Sequence, residues 1–166
     1  MVVGTPTSGL HCIPLVHPTA HSSSADNKAL LLLMRPKILV VDDAKAVRLL
    51  AQKAMAPYDC EMSEAANGYN ALFLMEKGLP GLIILDVNMP VMDGLELLTL
   101  LKSKPALAAV PVIMLTSPAD HGVSAQLMAL GIRGTVMKPF TAAALAEKVR
   151  SVLALEPLPL PSPPQG

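Results

Sequence analysis

The stretch Leu82 to Gly94, LIILDVNMPVMDG, constrains this chain more than any other. Its first four residues are apolar without a polar residue between them. A strand of that kind needs cover on both faces, which is the situation of a parallel strand in an α/β protein and not of a half-solvated antiparallel one. The run ends in a lone carboxylate, Asp86, followed by a loop punctuated by Pro90 and Gly94. Ligands of open α/β sheets bind beyond the carboxyl ends of the strands, so Asp86 is a displayed group.

The flanking segments supply the rest of such a sheet. KILVV at 37–41 is a short β-branched run that meets Asp42 and Asp43 and reads as a first buried strand. Ala44 to Ala56 places Val47, Leu50, Ala51, Ala54 and Met55 at helical spacing and stops before Pro57. Cys60 to Ala65 alternates loosely as a second strand, Asn67-Gly68 turns the chain, and Tyr69 to Lys77 forms a helix closed by Gly78. After the opening stretch come a third helix at Leu95 to Lys102, a fourth strand at Pro111 to Leu115 and a fourth helix at Ala119 to Leu130. A short fifth strand at Thr135 to Met137 and a long final helix at Thr141 to Leu155, N-capped by Thr141, complete the series. Strands alternating with helices in this way predict a doubly wound parallel sheet with helices on both faces, its crossovers right-handed.

At 166 residues there is room for one such domain and tails. Residues 1–34 mix Gly, Pro, Ser, Thr and His without periodicity and are expected to be disordered. A start at Met34 is an alternative that leaves the upstream residues untranslated. His11, Cys12, His17 and His21 are read as part of a solvated tail and not as metal ligands. The predicted domain is 35–155, and 156–166, EPLPLPSPPQG, is expected to be a mobile, extended proline-rich tail. Mean hydropathy is high at +0.48, yet every apolar run breaks before the ~18 to 20 residues of a bilayer span. Zero formal net charge argues against direct binding to nucleic acid. Cys12 and Cys60 lack metal or disulfide spacing; Cys60 reads as a small core residue, and a cytoplasmic location is expected.

The predicted sheet brings Asp42 and Asp43 from the first strand, Asp86 from the third, Thr116 and Ser117 from the fourth and Lys138 from the fifth to one edge. Each alone is ordinary: an Asp-Asp pair after a strand is commonly a turn, and a Thr at a strand end is commonly structural. Their joint placement points to a site. Three carboxylates in one crevice repel unless a cation joins them. Oxygen-only ligands, two carboxylates and a backbone carbonyl from the Asp86 loop, suit Mg²⁺, which keeps part of its water and shares oxygens with phosphate.

VVDD at 40–43, LDVNMPVMDG at 85–94, MLTS at 114–117 and KPF at 138–140 resemble the receiver domains of two-component response regulators. The region from about Lys37 to Leu155 is similar to a single-domain, CheY-like member. The resemblance implies a flavodoxin-like sheet of order 2-1-3-4-5. It implies that Asp86 accepts a phosphoryl group from a sensor histidine kinase or a histidine phosphotransfer protein. In that reading Asp43, Asp86 and the Asn88 backbone carbonyl ligate Mg²⁺, Asp42 supports the ion through water, Thr116 bonds a phosphoryl oxygen and Lys138 pairs with it. The domain catalyses only its own modification and its loss, and is not otherwise an enzyme. Asn88 and Pro118, two residues after Asp86 and Thr116, border the phosphoryl group and are expected to affect its hydrolysis.

Thr135 stands where many receivers carry an aromatic that swings inward on activation, so the usual toggle is absent. Output is expected through contact of a monomer with an unidentified downstream protein. Two alternatives are a receiver-shaped interaction module that works without phosphorylation and, more remotely, a phosphatase of the haloacid dehalogenase type. The latter wants a second Asp as general acid where this chain has Asn88.

Overall fold

The computed structural model describes residues 35–155 and 157–158. Five parallel strands, β1 (Lys37–Val41), β2 (Glu61–Ala65), β3 (Leu82–Asp86), β4 (Val112–Thr116) and β5 (Gly134–Met137), form one sheet in the order β2-β1-β3-β4-β5. Helices α1 (Lys45–Met55), α2 (Gly68–Lys77), α3 (Gly94–Ser103), α4 (Ser124–Ala129) and α5 (Ala142–Val152) connect or follow them. The expected doubly wound architecture and strand order are those observed. The reversal of chain direction through the sheet lies between β1 and β3, and the Asp42 and Asp86 ends open there.

The unbroken apolar runs are explained by two cores. In β1, β3 and β4 every other side chain goes to one face: Leu39, Val41, Ile83, Leu85, Val112 and Met114 pack with Ala71 and Met75 of α2, Leu97, Leu98 and Leu101 of α3, and Leu127 of α4. The intervening Ile38, Val40, Leu82, Ile84, Ile113 and Leu115 pack with Ala51, Ala54 and Met55 of α1 and Leu145, Ala146 and Val149 of α5. The period of 2 is therefore present, but it alternates between two dry faces and not between oil and water. Burying aliphatic side chains of this size contributes about 1.5–3 kcal/mol each.

Several boundaries differ from the sequence reading for identifiable reasons. Asp86 is itself the last residue of β3, paired in register with Leu115. Asn67 is more than a turn residue: its side chain accepts from the Asn70 N–H at 2.9 Å and caps α2. A single helical turn, Pro105–Ala108, forms with Pro at its first position, where a missing N–H costs nothing. The expected helix at 119–130 is divided: Pro118–Val123 winds as a 3₁₀ segment and only Ser124–Ala129 is α-helical. The α5 cap is as expected, Thr141 accepting from the Ala144 N–H at 3.2 Å. However, α5 stops at Val152, because Leu153 turns extended and lets Leu155 bury against the α1–α5 core.

The tail beyond does not leave the domain at once. Pro157 bridges Tyr58 in antiparallel fashion, the Leu158 N–H donates to the Pro57 carbonyl at 2.8 Å, and Arg150 lies over the Tyr58 ring at 5.8 Å. These two residues depart from the expected mobile tail, since the Pro57 carbonyl of the α1–β2 loop finds its partner there. Cys60 is half-buried beside the same core, and burial pushes its thiol pKa up. Residues 1–34, with His11, Cys12, His17 and His21, and the segment 159–166 lie outside the described residues. Among the described residues no helix is long and apolar enough to cross a membrane.

Candidate functional site

The carboxyl ends of the strands bring together the acids named from the sequence. Carboxylate oxygens of Asp42, Asp43 and Asp86 lie within 4.8 Å of one another, Asp42 and Asp86 buried and Asp43 exposed. Lys138, which follows β5, reaches across the sheet edge. Its Nζ stands 2.7 Å from Asp42 Oδ2 and 2.8 Å from Asp86 Oδ1. The sequence reading had Lys138 facing the phosphoryl site; in the structure it bridges Asp86 and Asp42, and the second oxygen of Asp42 accepts from the Ala44 N–H at 2.8 Å. Both Asp42 oxygens are thus engaged by the protein, while Asp43 faces solvent.

Electrostatics at this cluster is a contest. Burial raises the pKa of Asp86; the Lys138 hydrogen bond and charge oppose that rise, and the neighbouring charges of Asp42 and Asp43 add to it. The result is a carboxyl above its ordinary value. Burial would lower the pKa of Lys138, but its hydrogen bonds to Asp42 and Asp86 prevail and hold it above the ordinary lysine value. The sign for stability follows. A folded-state Asp86 that binds its proton more tightly than the unfolded chain costs stability when ionised, and that cost is relieved as pH falls through the folded pKa. In EDTA, the stability advantage of Asp86→Asn over wild type should therefore shrink as pH is lowered from about 7 toward the unfolded value near 4. Urea unfolding across that window measures it, and an advantage that grows on acidification would contradict it.

Thr116 is buried at the end of β4, opposite Met137 in the β4–β5 register. The Lys138 N–H donates to the Thr116 carbonyl at 2.7 Å, so the hydroxyl-bearing and ammonium-bearing strand ends are tied together. Asn88 is exposed on the loop after β3. In the same loop Val91 has φ of 75° and is 78 % exposed, a β-branched residue in the left-handed region, where strain of order 1–3 kcal/mol is stored. Thr135 lies on β5 away from the acids, exposed, beside a groove of 430 Å³ that Val136, Glu147 and Lys148 also line.

Two participants escaped the sequence reading. Arg48, in α1, donates from Nη1 to the carbonyls of Asp42 at 2.8 Å and Asp43 at 3.0 Å, while its Nε faces Glu64 at 3.3 Å. It sets the backbone of the acid pair. A cation near a helix start runs against the helix dipole, and that mismatch was the available signal. Asp120 is the second. Its buried carboxylate accepts from Ser117 N at 2.5 Å, Ser117 Oγ at 2.8 Å and Asn88 Nδ2 at 2.6 Å. Burial alone would raise its pKa, but the bonds from Ser117 and Asn88, with the charge of Lys138, outweigh it and hold the carboxyl below the ordinary value. Ser117-x-x-Asp120 has the spacing of a capping box, which was its trace in the sequence.

The donor set fits a hard divalent cation, since every side-chain ligand available is a carboxylate oxygen and one of the three is open to solvent. The arrangement otherwise offers a carboxylate nucleophile held by an ammonium group at the mouth of an α/β crevice.

Comparison with known proteins agrees with this geometry. Residues 38–150 match the family model described as the response regulator receiver domain. The chain is 39 % identical over 120 residues to response regulator PleD of Caulobacter vibrioides, covering 72 % of this chain but only 26 % of PleD. It is 33 % identical over 117 residues to chemotaxis protein CheY-3 of Vibrio cholerae, covering 70 % of this chain and 90 % of that protein. Among solved structures, chemotaxis response regulator CheY4 of Vibrio cholerae superposes with a TM-score of 0.66 at 31 % identity, over 72 % of this chain and 99 % of the other. A strand order, an acid cluster and a lysine that had pointed the same way separately are thereby joined, and the chain belongs to the response regulator receiver domain family of two-component signalling.

Proposed function

We propose that the protein is a receiver whose Asp86 accepts a phosphoryl group from a sensor histidine kinase or a histidine phosphotransfer protein. The observation that carries this reading is the Lys138 ammonium group at 2.7 Å from Asp42 and 2.8 Å from Asp86, with Asp43 in the same cluster. Attack by a carboxylate on phosphorus brings two anions together, so positioning and neutralisation make up nearly all the catalysis needed. Lys138 neutralises from the β5 side and orients Asp86. Asp43, Asp86 and the Asn88 backbone carbonyl are the proposed Mg²⁺ ligands. Asp42, with both oxygens engaged, would reach the ion through water. When bound, Mg²⁺ would supply positive charge to the phosphoryl oxygens.

Thr116 would bond a phosphoryl oxygen, and its movement would carry the segment from Ser117 into α4 between two packings. Output is then contact with a downstream protein, with Thr135 in place of the usual aromatic. Incubating the full chain with acetyl phosphate and Mg²⁺ should add one phosphoryl mass to the wild type and none to Asp86→Ala, read by intact-mass spectrometry. Equal yields would defeat the assignment. No addition to wild type would favour an interaction module that works without phosphorylation. The phosphatase reading loses support at residue 88, where an amide already donating to Asp120 stands where a general acid is required.

A further inference from the structure

The Asn88 to Asp120 hydrogen bond is not explained by helix capping. Ser117 N and Oγ satisfy Asp120 Oδ2 and complete the local box. The other oxygen takes a donor 32 residues away, on the loop after the phosphoacceptor strand. That loop has few other anchors. Val87 is tied to Leu115 and Gly94 to Val87 by backbone bonds, and Met92 bonds only its neighbour Pro90. Among the described residues, the Asn88 amide to Asp120 is the hydrogen bond that joins the segment 88–91 to another loop. Because an Asn side chain has only two rotatable bonds, fixing its tip on a buried acceptor also restricts the backbone of residue 88. The same carboxylate grips the residue after Thr116, so one side chain spans the two strand ends that must cooperate.

We propose that Asp120 is a positioning residue that sets the affinity of the acid cluster for Mg²⁺, by holding the Asn88 backbone relative to Asp86. This rests on the reading above in which the Asn88 carbonyl is a metal ligand. Groups that orient ligands from behind typically govern metal affinity by roughly tenfold or more when removed.

The test is calorimetric titration of the full chain with MgCl₂ alone. Asp120→Ala should weaken binding about tenfold. Asn88→Ala keeps its carbonyl but loses the anchor, so it should weaken binding similarly. The double variant should be no worse than either single, the mark of one shared interaction. Asn88→Ala also separates clamp from cap, because Asp120 still accepts from Ser117 N and Oγ. It should fold and still bind Mg²⁺ weakly. Leu155→Ala, which thins the α1–α5 core on the other face of the sheet, should lower the melting temperature and leave Mg²⁺ affinity unchanged. Wild-type affinity in folded Asn88→Ala, or additive losses in the double variant, would overturn the proposal while leaving the phosphoacceptor reading standing. Absence of Mg²⁺ binding by wild type would defeat the metal assignment and this inference with it.

Discussion

Replacing Lys138 by Met is expected to destabilise the metal-free protein by about 3–5 kcal/mol, a large part of the 5–15 kcal/mol that holds a typical domain together. Lys138 is the cation between two carboxylates whose side chains are 0 % and 6 % exposed. Without it Asp42 and Asp86 face each other from low-dielectric surroundings with Asp43 close by. Repulsion of that kind is relieved by a substitute cation. Added Mg²⁺ should therefore restore stability to Lys138→Met by more than it stabilises wild type. Urea unfolding of both proteins in EDTA and in Mg²⁺ reads the difference directly. A second substitution, Asp42→Asn, removes one of the opposed charges and should recover part of the loss in EDTA. A loss under about 1 kcal/mol, the scale of an exposed ion pair, would show that solvent already screens the cluster.

Gly94→Ala should be comparably damaging for an unrelated reason. A β-carbon at residue 94 would fall inside the van der Waals shell of the Asp86 carbonyl oxygen, 2.8 Å from the Asp86 carbonyl carbon and 3.0 Å from Val87 Cα. All three are backbone atoms, so no rotamer can give way. Either the end of β3 or the start of α3 must move, breaking the Gly94 N–H to Val87 carbonyl bond of 2.9 Å. The expected cost is about 3 kcal/mol or more, with Asp86 displaced from Lys138. Two glycines calibrate the result. At Gly68 the intruding atoms belong to the Met92 side chain, which can shift, and the loss should be smaller. At Gly122 nothing lies within 4 Å, and alanine should be nearly neutral. Unfolding midpoints that rank Gly94→Ala no lower than Gly122→Ala would refute the steric argument.

Gly94 also shows where sequence reasoning stops. Read in order, it is a turn glycine opening a helix; that it abuts the Asp86 carbonyl is a contact across a loop, with no periodicity to announce it. The strands were legible because apolar runs such as LIILD and VIMLT admit few other folds. Helix α4 was less so, since Pro118 and the Ser117–Asp120 box favour a tighter winding that apolar spacing does not encode. Arg48 and Asp120 were missed alike, because each acts on partners brought near only by the sheet.

Local chemistry, then, is what the sequence by itself determined: which segments bury on both faces, where each strand ends, and which acid, hydroxyl or ammonium group stands at that end. Those are properties of short windows, governed by the period of the side chains and by the few conformations open to Pro and Gly. The tertiary structure alone decided how the strand ends share their charges. Lys138 spans two acids, Arg48 holds the backbone of one pair and Asp120 ties Asn88 to Ser117. Hydrogen bonds and ion pairs are short-ranged and directional, so their partners are set by where the packed cores place each loop in space.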